Sequence, residues 1–137
     1  MPFLNIKRLS KIEVNNFVVK LVDKKTDLKK AQALRYSIFY KEKKAMQSMA
    51  KKKLQLDYDE VDKFADHLIV IDKNRKSTKD KIVGTYRLIR GDVANNFGGF
   101  YTSLEFDLTN VLNSYKPSQI LELGRSCVHK DYRNGTI

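Results

Sequence analysis

Residues 67–89 read HLIVIDKNRKSTKDKIVGTYRLI. Two aliphatic, β-branched runs, 67–71 and 82–89, flank a polar stretch at 73–81, and this pattern predicts two antiparallel strands joined by a long turn. Alternation along the second run places Val83, Thr85, Arg87 and Ile89 on one face and Ile82, Gly84, Tyr86 and Leu88 on the other. Residues 16–22 (NFVVKLV) read as an earlier strand and residues 120–128 (ILELGRSCV) as a later one.

Helical spacing fills the gap between the first two strands. Leu28, Ala31, Leu34 and Ile38 form one apolar stripe reaching about Tyr40, with Thr26 or Asp27 as the expected cap. A second, basic amphipathic helix is expected over 42–54, with Met46, Met49, Ala50 and Leu54 on one side and Lys43, Lys44, Lys51 and Lys52 elsewhere. The acidic stretch 56–66 and the segment 91–99 read as loops, and 101–112 fits no single pattern. Strand, helix, helix and three strands imply an α/β domain with helices packed on a mostly antiparallel sheet. We expect residues 1–15 to be an extension and 16–137 to belong to a single domain.

Bulk properties narrow the function classes. The chain has 137 residues, 42% of them hydrophobic, which suffices for one core. No apolar run approaches the roughly 18 residues that cross a bilayer. A single cysteine, Cys127, excludes an intramolecular disulfide, leaves a cysteine-based zinc site without ligands and suits a cytoplasmic setting. The net charge of +11 would attract nucleic acid, anionic lipid or an acidic protein, or simply solvate the surface.

Several charged residues stand where burial is expected. Arg35 and Phe39 lie four apart on the first helix, where Arg35 either snorkels at the boundary or enters a site. Arg87 sits mid-strand among apolar neighbours and requires a carboxylate, a phosphate or water. Glu122 lies between Leu121 and Leu123, with Arg125 three residues on. Residues three apart in a regular strand face opposite sides, so the two share a cleft only across a bulge, which Gly124 permits. Asp57 and Asp59 suggest calcium, but an EF-hand loop starting at Asp57 needs glycine at Asp62 and glutamate at Leu68. His67, His129 and Cys127 read most simply as structural.

These segments together resemble a known family. Leu34-Arg35-Tyr36-Ser37-Ile38-Phe39-Tyr40, Asp59-Glu60-Val61-Asp62, Asp66-His67-Leu68, Gly84-Thr85-Tyr86-Arg87-Leu88, Leu121-Glu122-Leu123-Gly124-Arg125-Ser126-Cys127-Val128 and Asp131-Tyr132-Arg133-Asn134-Gly135 occur in order. The pattern resembles the ornithine N-acyltransferases of ornithine-lipid synthesis and related haemolysin-like acyltransferases. It is more distantly similar to acyl-homoserine lactone synthases, which share the residue types at Arg35, Phe39, Asp59, Asp62, Arg87, Glu122 and Arg125. Those synthases usually carry a tryptophan just after the phenylalanine, and this chain has none.

The resemblance implies a GNAT-like three-layer α-β-α fold with a mostly antiparallel mixed sheet, of which this chain is the N-terminal portion. The acyl donor would enter beside the next strand, which the chain lacks, so the isolated chain is expected to be poorly stable and inactive. The implied reaction moves a fatty or 3-hydroxyfatty acyl group from acyl carrier protein to the α-amine of ornithine, giving a lyso-ornithine lipid. Glu122, Arg125 and Arg87 are then the expected catalytic residues, and Arg35, Phe39, Asp59 and Asp62 the expected substrate-binding ones. Arg133, Asn134 and Gly135 are expected at the acyl donor, although they match the pyrophosphate loop of acetyl-CoA enzymes poorly, which suits a carrier-protein donor. No tightly bound cofactor is implied beyond the donor's phosphopantetheine thioester, and no metal.

Expected partners are acyl carrier protein, docked through Lys43, Lys44, Lys51, Lys52 and Lys53, and ornithine. A peripheral association with the inner face of the membrane is a further expectation. The competing readings are an acyl-homoserine lactone synthase-like acyltransferase and a non-enzymatic basic module that binds nucleic acid or membrane through the 43–53 helix. No recognised nucleic-acid-binding motif accompanies the charge.

Overall fold

A computed structural model describes residues 11–135. Its centre is a meander of β1 (Ile12–Val14), β2 (Phe17–Leu21), β3 (Asp66–Asp72), β4 (Ile82–Arg90) and β5 (Leu121–Val128), paired in chain order with every pairing antiparallel. The hairpin read from residues 67–89 is β3–β4, and the sheet begins earlier than residue 16 because β1 folds back on β2.

α1 (Lys25–Tyr36) packs on the face that carries Ile69, buried with Ala31 and Ile82 and flanked by Val22, Leu34 and Ile71. The stripe read from Leu28 to Ile38 is therefore the core side of this helix, with Ala31 and Ile38 buried. Its cap differs from expectation: Lys24 occupies the N-cap without a side-chain bond, while Asp27 sits in the first turn and accepts from Lys20 Nζ at 3.1 Å. The helix also ends earlier, because Ser37–Glu42 continue it as a π-helix. Wide turns of this kind interrupt α-helices frequently at functional sites.

The expected helix over 42–54 shrinks to α2 (Met49–Leu54), capped by Ser48, whose Oγ accepts from Lys51 N. Met46, Met49 and Leu54 do not pack into the core. The loop-like segment 91–99 forms the short helix α3 (Gly91–Ala94) followed by a 3-10 turn, Asn95–Phe97. The ambiguous stretch 101–112 resolves into a 3-10 turn, Tyr101–Leu104, and the start of α4 (Thr109–Ser114). A second core cluster of Ile89, Ala94 and Phe100 joins these connections to the end of β4.

Two bulges decide which side chains face α1. Val70 pairs with Gly84 but Ile71 pairs with Ile82, so Val83 is an extra residue. This is why Ile82 and Val83 are both buried instead of facing opposite sides as simple alternation predicts. On the other edge, Thr85 pairs with Cys127 while Arg87 pairs with Gly124, a two-residue step on β4 against a three-residue step on β5. The bulge expected near Gly124 is present, and the residue that adopts the left-handed conformation is Arg125, at φ 49°.

Candidate active site

The β4–β5 bulge and the acidic segment between α2 and β3 bring three arginines and three aspartates together under α1. Arg35 Nε donates to Asp57 Oδ2 at 2.9 Å, and its Nη2 donates to Asp57 O at 2.5 Å and Asp62 Oδ2 at 2.6 Å. Arg87 Nη1 donates to Asp59 Oδ1 at 2.7 Å and Asp62 Oδ1 at 3.0 Å. Arg125 Nη2 reaches Asp59 Oδ2 at 3.2 Å, with its Nε 3.6 Å from Asp57 Oδ2. Arg35 and Arg87 are buried, so the helix arginine does not snorkel. Charges this deep persist only when paired, and each arginine here has two aspartates.

The Asp-x-x-Asp spacing is explained by a turn. Asp59 caps the 3-10 helix Glu60–Lys63, its Oδ1 accepting from Asp62 N at 3.2 Å, so both carboxylates are held on one turn. Asp57 is fixed separately by its backbone N–H, which donates to Gln32 O at 3.0 Å. Tyr40 Oη and Lys51 Nζ also donate to Asp57 Oδ1, at 2.8 and 3.2 Å. Lys51 is thus part of the cluster and leaves the set of free lysines. Gln32 Nε2 donates to Asp62 Oδ2 at 2.9 Å.

Burial raises the Asp59 carboxyl, but the hydrogen bonds and charge of Arg87 and Arg125 outweigh it and bring its pKa down to about 2. Asp57 is likewise lowered, with Arg35 and Arg125 overcoming desolvation. His67, whose Nε2 lies 3.2 Å from Asp62 O, is lowered by burial and stays neutral. Burial pushes the Cys127 thiol up to about 12, which removes it as a nucleophile.

Two cavities border the cluster. The first, of about 150 Å³, is lined by Arg87, Tyr101, Thr102, Glu122, Gly124 and Arg125 among others. Glu122 and Arg87 therefore share one face, as the pairing of Glu122 with Ile89 requires. Glu122 accepts from Tyr101 N at 2.9 Å, Thr102 N at 3.0 Å and Thr102 Oγ1 at 2.8 Å, holding the 3-10 turn against β5. That places the Tyr101 ring 5.3 Å from the Arg87 guanidinium and 5.6 Å from that of Arg125. The second cavity is an apolar groove of about 350 Å³, lined by Ile38, Phe39, Ser126, Cys127 and Val128 with Lys43 and Arg133. Phe39 lies 5.9 Å from the Arg125 guanidinium, so Arg125 is flanked by rings from both cavities.

Of the residues expected from sequence, Arg35, Asp59, Asp62, Arg87 and Arg125 form one network, with Phe39 and Glu122 on its borders. Arg133 stands apart: its guanidinium takes Glu42 Oε1 and Oε2 at 2.5 and 2.9 Å, and its Nε donates to Val128 O at 2.9 Å. Asn134 and Gly135 follow it, with Gly135 at φ 83°. Sequence reading weighed Asp57 only as a calcium ligand, which it rejected, and did not place it with the arginines. It also missed Tyr101 and Thr102, which lie in a stretch without periodicity.

A family model described as an acetyltransferase (GNAT) domain matches residues 34–137. Curated relatives named L-ornithine N(alpha)-acyltransferase include one from Rhizobium meliloti (strain 1021), 38% identical over 121 residues, covering 88% of this chain and 41% of that protein. Others are from Agrobacterium fabrum, 36% identical with 88% and 41% covered, and Rhodobacter capsulatus, 36% identical with 88% and 46% covered. The chain thus spans less than half the length of these relatives. A solved structure from Lactobacillus plantarum, provisionally assigned as an N-acetyltransferase, superposes with a TM-score of 0.50 at 16% identity, covering 88% of this chain and 58% of the other. That likeness concerns the fold.

Proposed function

Because this chain belongs to the GNAT acetyltransferase-domain family, we propose that the protein carrying it is an N-acyltransferase that moves a fatty acyl group from acyl carrier protein to the α-amine of ornithine. The product would be a lyso-ornithine lipid. The observation that carries this reading is the small cavity beside the β5 bulge, where one carboxylate, Glu122, and two guanidinium groups, Arg87 and Arg125, line the same space. An amino acid is a zwitterion of matching charges, and the names of the relatives supply the acceptor.

In this mechanism the carboxylate of the acceptor faces Arg87 and Arg125, and its α-amine faces Glu122. Asp59 and Asp62 act indirectly, holding those guanidinium groups in place. The neutral amine attacks the thioester carbonyl carbon, an N–C bond forms, the C–S bond breaks and the pantetheine thiol departs. Glu122, or a water it holds, takes the proton the amine loses, and this proton passes to the departing pantetheine sulfur, which leaves as the thiol. The thioester is already activated, so no acyl-enzyme is needed, which agrees with the inert thiol of Cys127. The apolar groove along Phe39, Cys127 and Val128 is the proposed path of the donor's arm, with Lys43 and Arg133 at its polar end.

The test is acylation by the full-length protein with acyl carrier protein thioester as donor. Ornithine should be acylated at its α-amine, whereas putrescine, which lacks the carboxylate, should react at least a hundredfold more slowly. Equal rates on the two amines would refute the zwitterion site, and acylation from acyl-CoA alone would refute the carrier-protein donor.

A further inference from the structure

The connection between the π-helix and the acidic segment projects three large apolar side chains into solvent. Met46 is 98% exposed, Met49 81% and Leu54 55%. They are interleaved with Lys44, Lys52 and Lys53, all exposed, and residues 43–56 contain no aspartate or glutamate. None of these three lysines forms an ion pair among the described residues, in contrast to Lys43 with Glu42 and Lys51 with Asp57.

The segment is held in this posture. Tyr36 Oη donates to Gln47 Oε1 at 2.7 Å, Lys41 Nζ donates to Gln55 Oε1 at 2.9 Å, and Lys51 reaches Tyr40 and Asp57. Gln47, Lys51 and Gln55 face the protein as fasteners, and Met46, Met49, Lys52 and Lys53 are left outward. A run of exposed methionines among unpaired cations suits a counterpart that is both apolar and anionic.

We propose that residues 44–54 are a membrane-contact surface that binds an anionic lipid bilayer, with Lys44, Lys52 and Lys53 at the headgroups and Met46, Met49 and Leu54 entering the acyl boundary. A bilayer suits this surface better than an acidic protein does. Every residue from 41 to 50 is exposed, and a bilayer admits single protruding side chains. Another exposed apolar stretch, with Leu104 and Phe106, is interrupted by Glu105 and Asp107 and so is repelled by anionic lipid. Lys43, at the start of this segment, also lines the apolar groove, so the groove lies beside the contact surface. The proposal stands whatever donor or acceptor the enzyme uses.

The experiment is co-sedimentation of the full-length protein with phosphatidylcholine vesicles, with and without phosphatidylglycerol, across a salt series. Binding is expected to require phosphatidylglycerol and to weaken as salt rises. Replacing Met46 and Met49 by Ser should lower partitioning about tenfold while keeping its salt dependence. Replacing Lys44, Lys52 and Lys53 by Glu should lower partitioning at least tenfold and flatten the salt dependence. Circular dichroism verifies that these exposed changes leave the fold intact. Absence of vesicle binding, or binding indifferent to both variants, overturns the proposal. So does loss of carrier-protein binding in the lysine variant with vesicle binding unchanged, which would make the segment a protein-docking surface.

Discussion

Arg35 and Asp57 are both wholly shielded from solvent and joined through Nε–H to Oδ2 at 2.9 Å and Nη2–H to the Asp57 carbonyl at 2.5 Å. The pair ties α1 to the acidic segment, and through Asp62 it reaches Arg87 on β4. Removing one partner leaves the other charge buried and under-compensated, since its remaining partners, Asp62 for Arg35 or Arg125 and Lys51 for Asp57, are shared within the same network. Asp57→Asn should therefore destabilise the full-length protein by about 4 kcal/mol, read as a lowered denaturation midpoint. The double variant Arg35→Met with Asp57→Asn should lose less than the sum of the two single changes.

Acid should attack this network at a definite pH. Asp59 has a folded-state pKa of about 2 against an ordinary 3.8, so the unfolded chain binds more protons between those values. Its contribution is complete above about pH 4 and is lost as pH falls towards 2. Asp57, also lowered, adds to the same trend. Stability should fall steeply with pH in that window, and Asp59→Asn should be less stable at pH 7 but show a shallower slope. An identical slope in wild type and variant would remove Asp59 as the cause.

Glu122 holds the 101–104 turn, and substitutions can separate this from the role proposed for it at the acceptor amine. If it faces the acceptor amine, Glu122→Gln should lower kcat/KM about a hundredfold or more. If it only holds the 101–104 turn through Tyr101 and Thr102, Thr102→Val should reproduce the defect, because it removes the 2.8 Å hydroxyl bond and leaves the carboxylate's charge. We expect Thr102→Val to retain most activity and Glu122→Gln to retain little, with both melting near wild type.

Gly91 marks the start of α3 for a steric reason. A Cβ at this position would stand 2.2 Å from the Pro117 carbonyl oxygen and 2.9 Å from the Phe100 ring, and the Gly91 N–H donates to Ile120 O at 2.9 Å. Gly91→Ala must push apart the two segments that lead into β5, with a cost of about 3 kcal/mol. Thermal unfolding of the full-length variant measures this, whereas Gly124→Ala, where a Cβ meets open space, should change stability little.

Much of the architecture was legible because strand and helix periods are local. The hairpin, the first helix and the last strand follow from the order of apolar residues, and the ordered motifs from Arg35 to Arg133 carried the family resemblance that the GNAT match bears out. The second helix was overcalled because Met46, Met49 and Leu54 have helical spacing without any surface to pack against. Tyr101 and Thr102 were invisible, since their place depends on accepting atoms of Glu122, some twenty residues further along the chain.

The sequence alone determined that Arg87, Glu122 and Arg125 were too costly to bury unpaired, and that a bulge near Gly124 was needed to bring them together. Tertiary structure alone decided where that bulge falls. Arg125, not the neighbouring glycine, takes the left-handed conformation, because its guanidinium is held by Asp59 and flanked by Phe39 and Tyr101. An L-residue with a side chain reaches that region only at a cost of about 1–2 kcal/mol. Here the offsetting partners come from the π-helix, the acidic segment and the 101–104 turn, and only the folded chain brings them to one place.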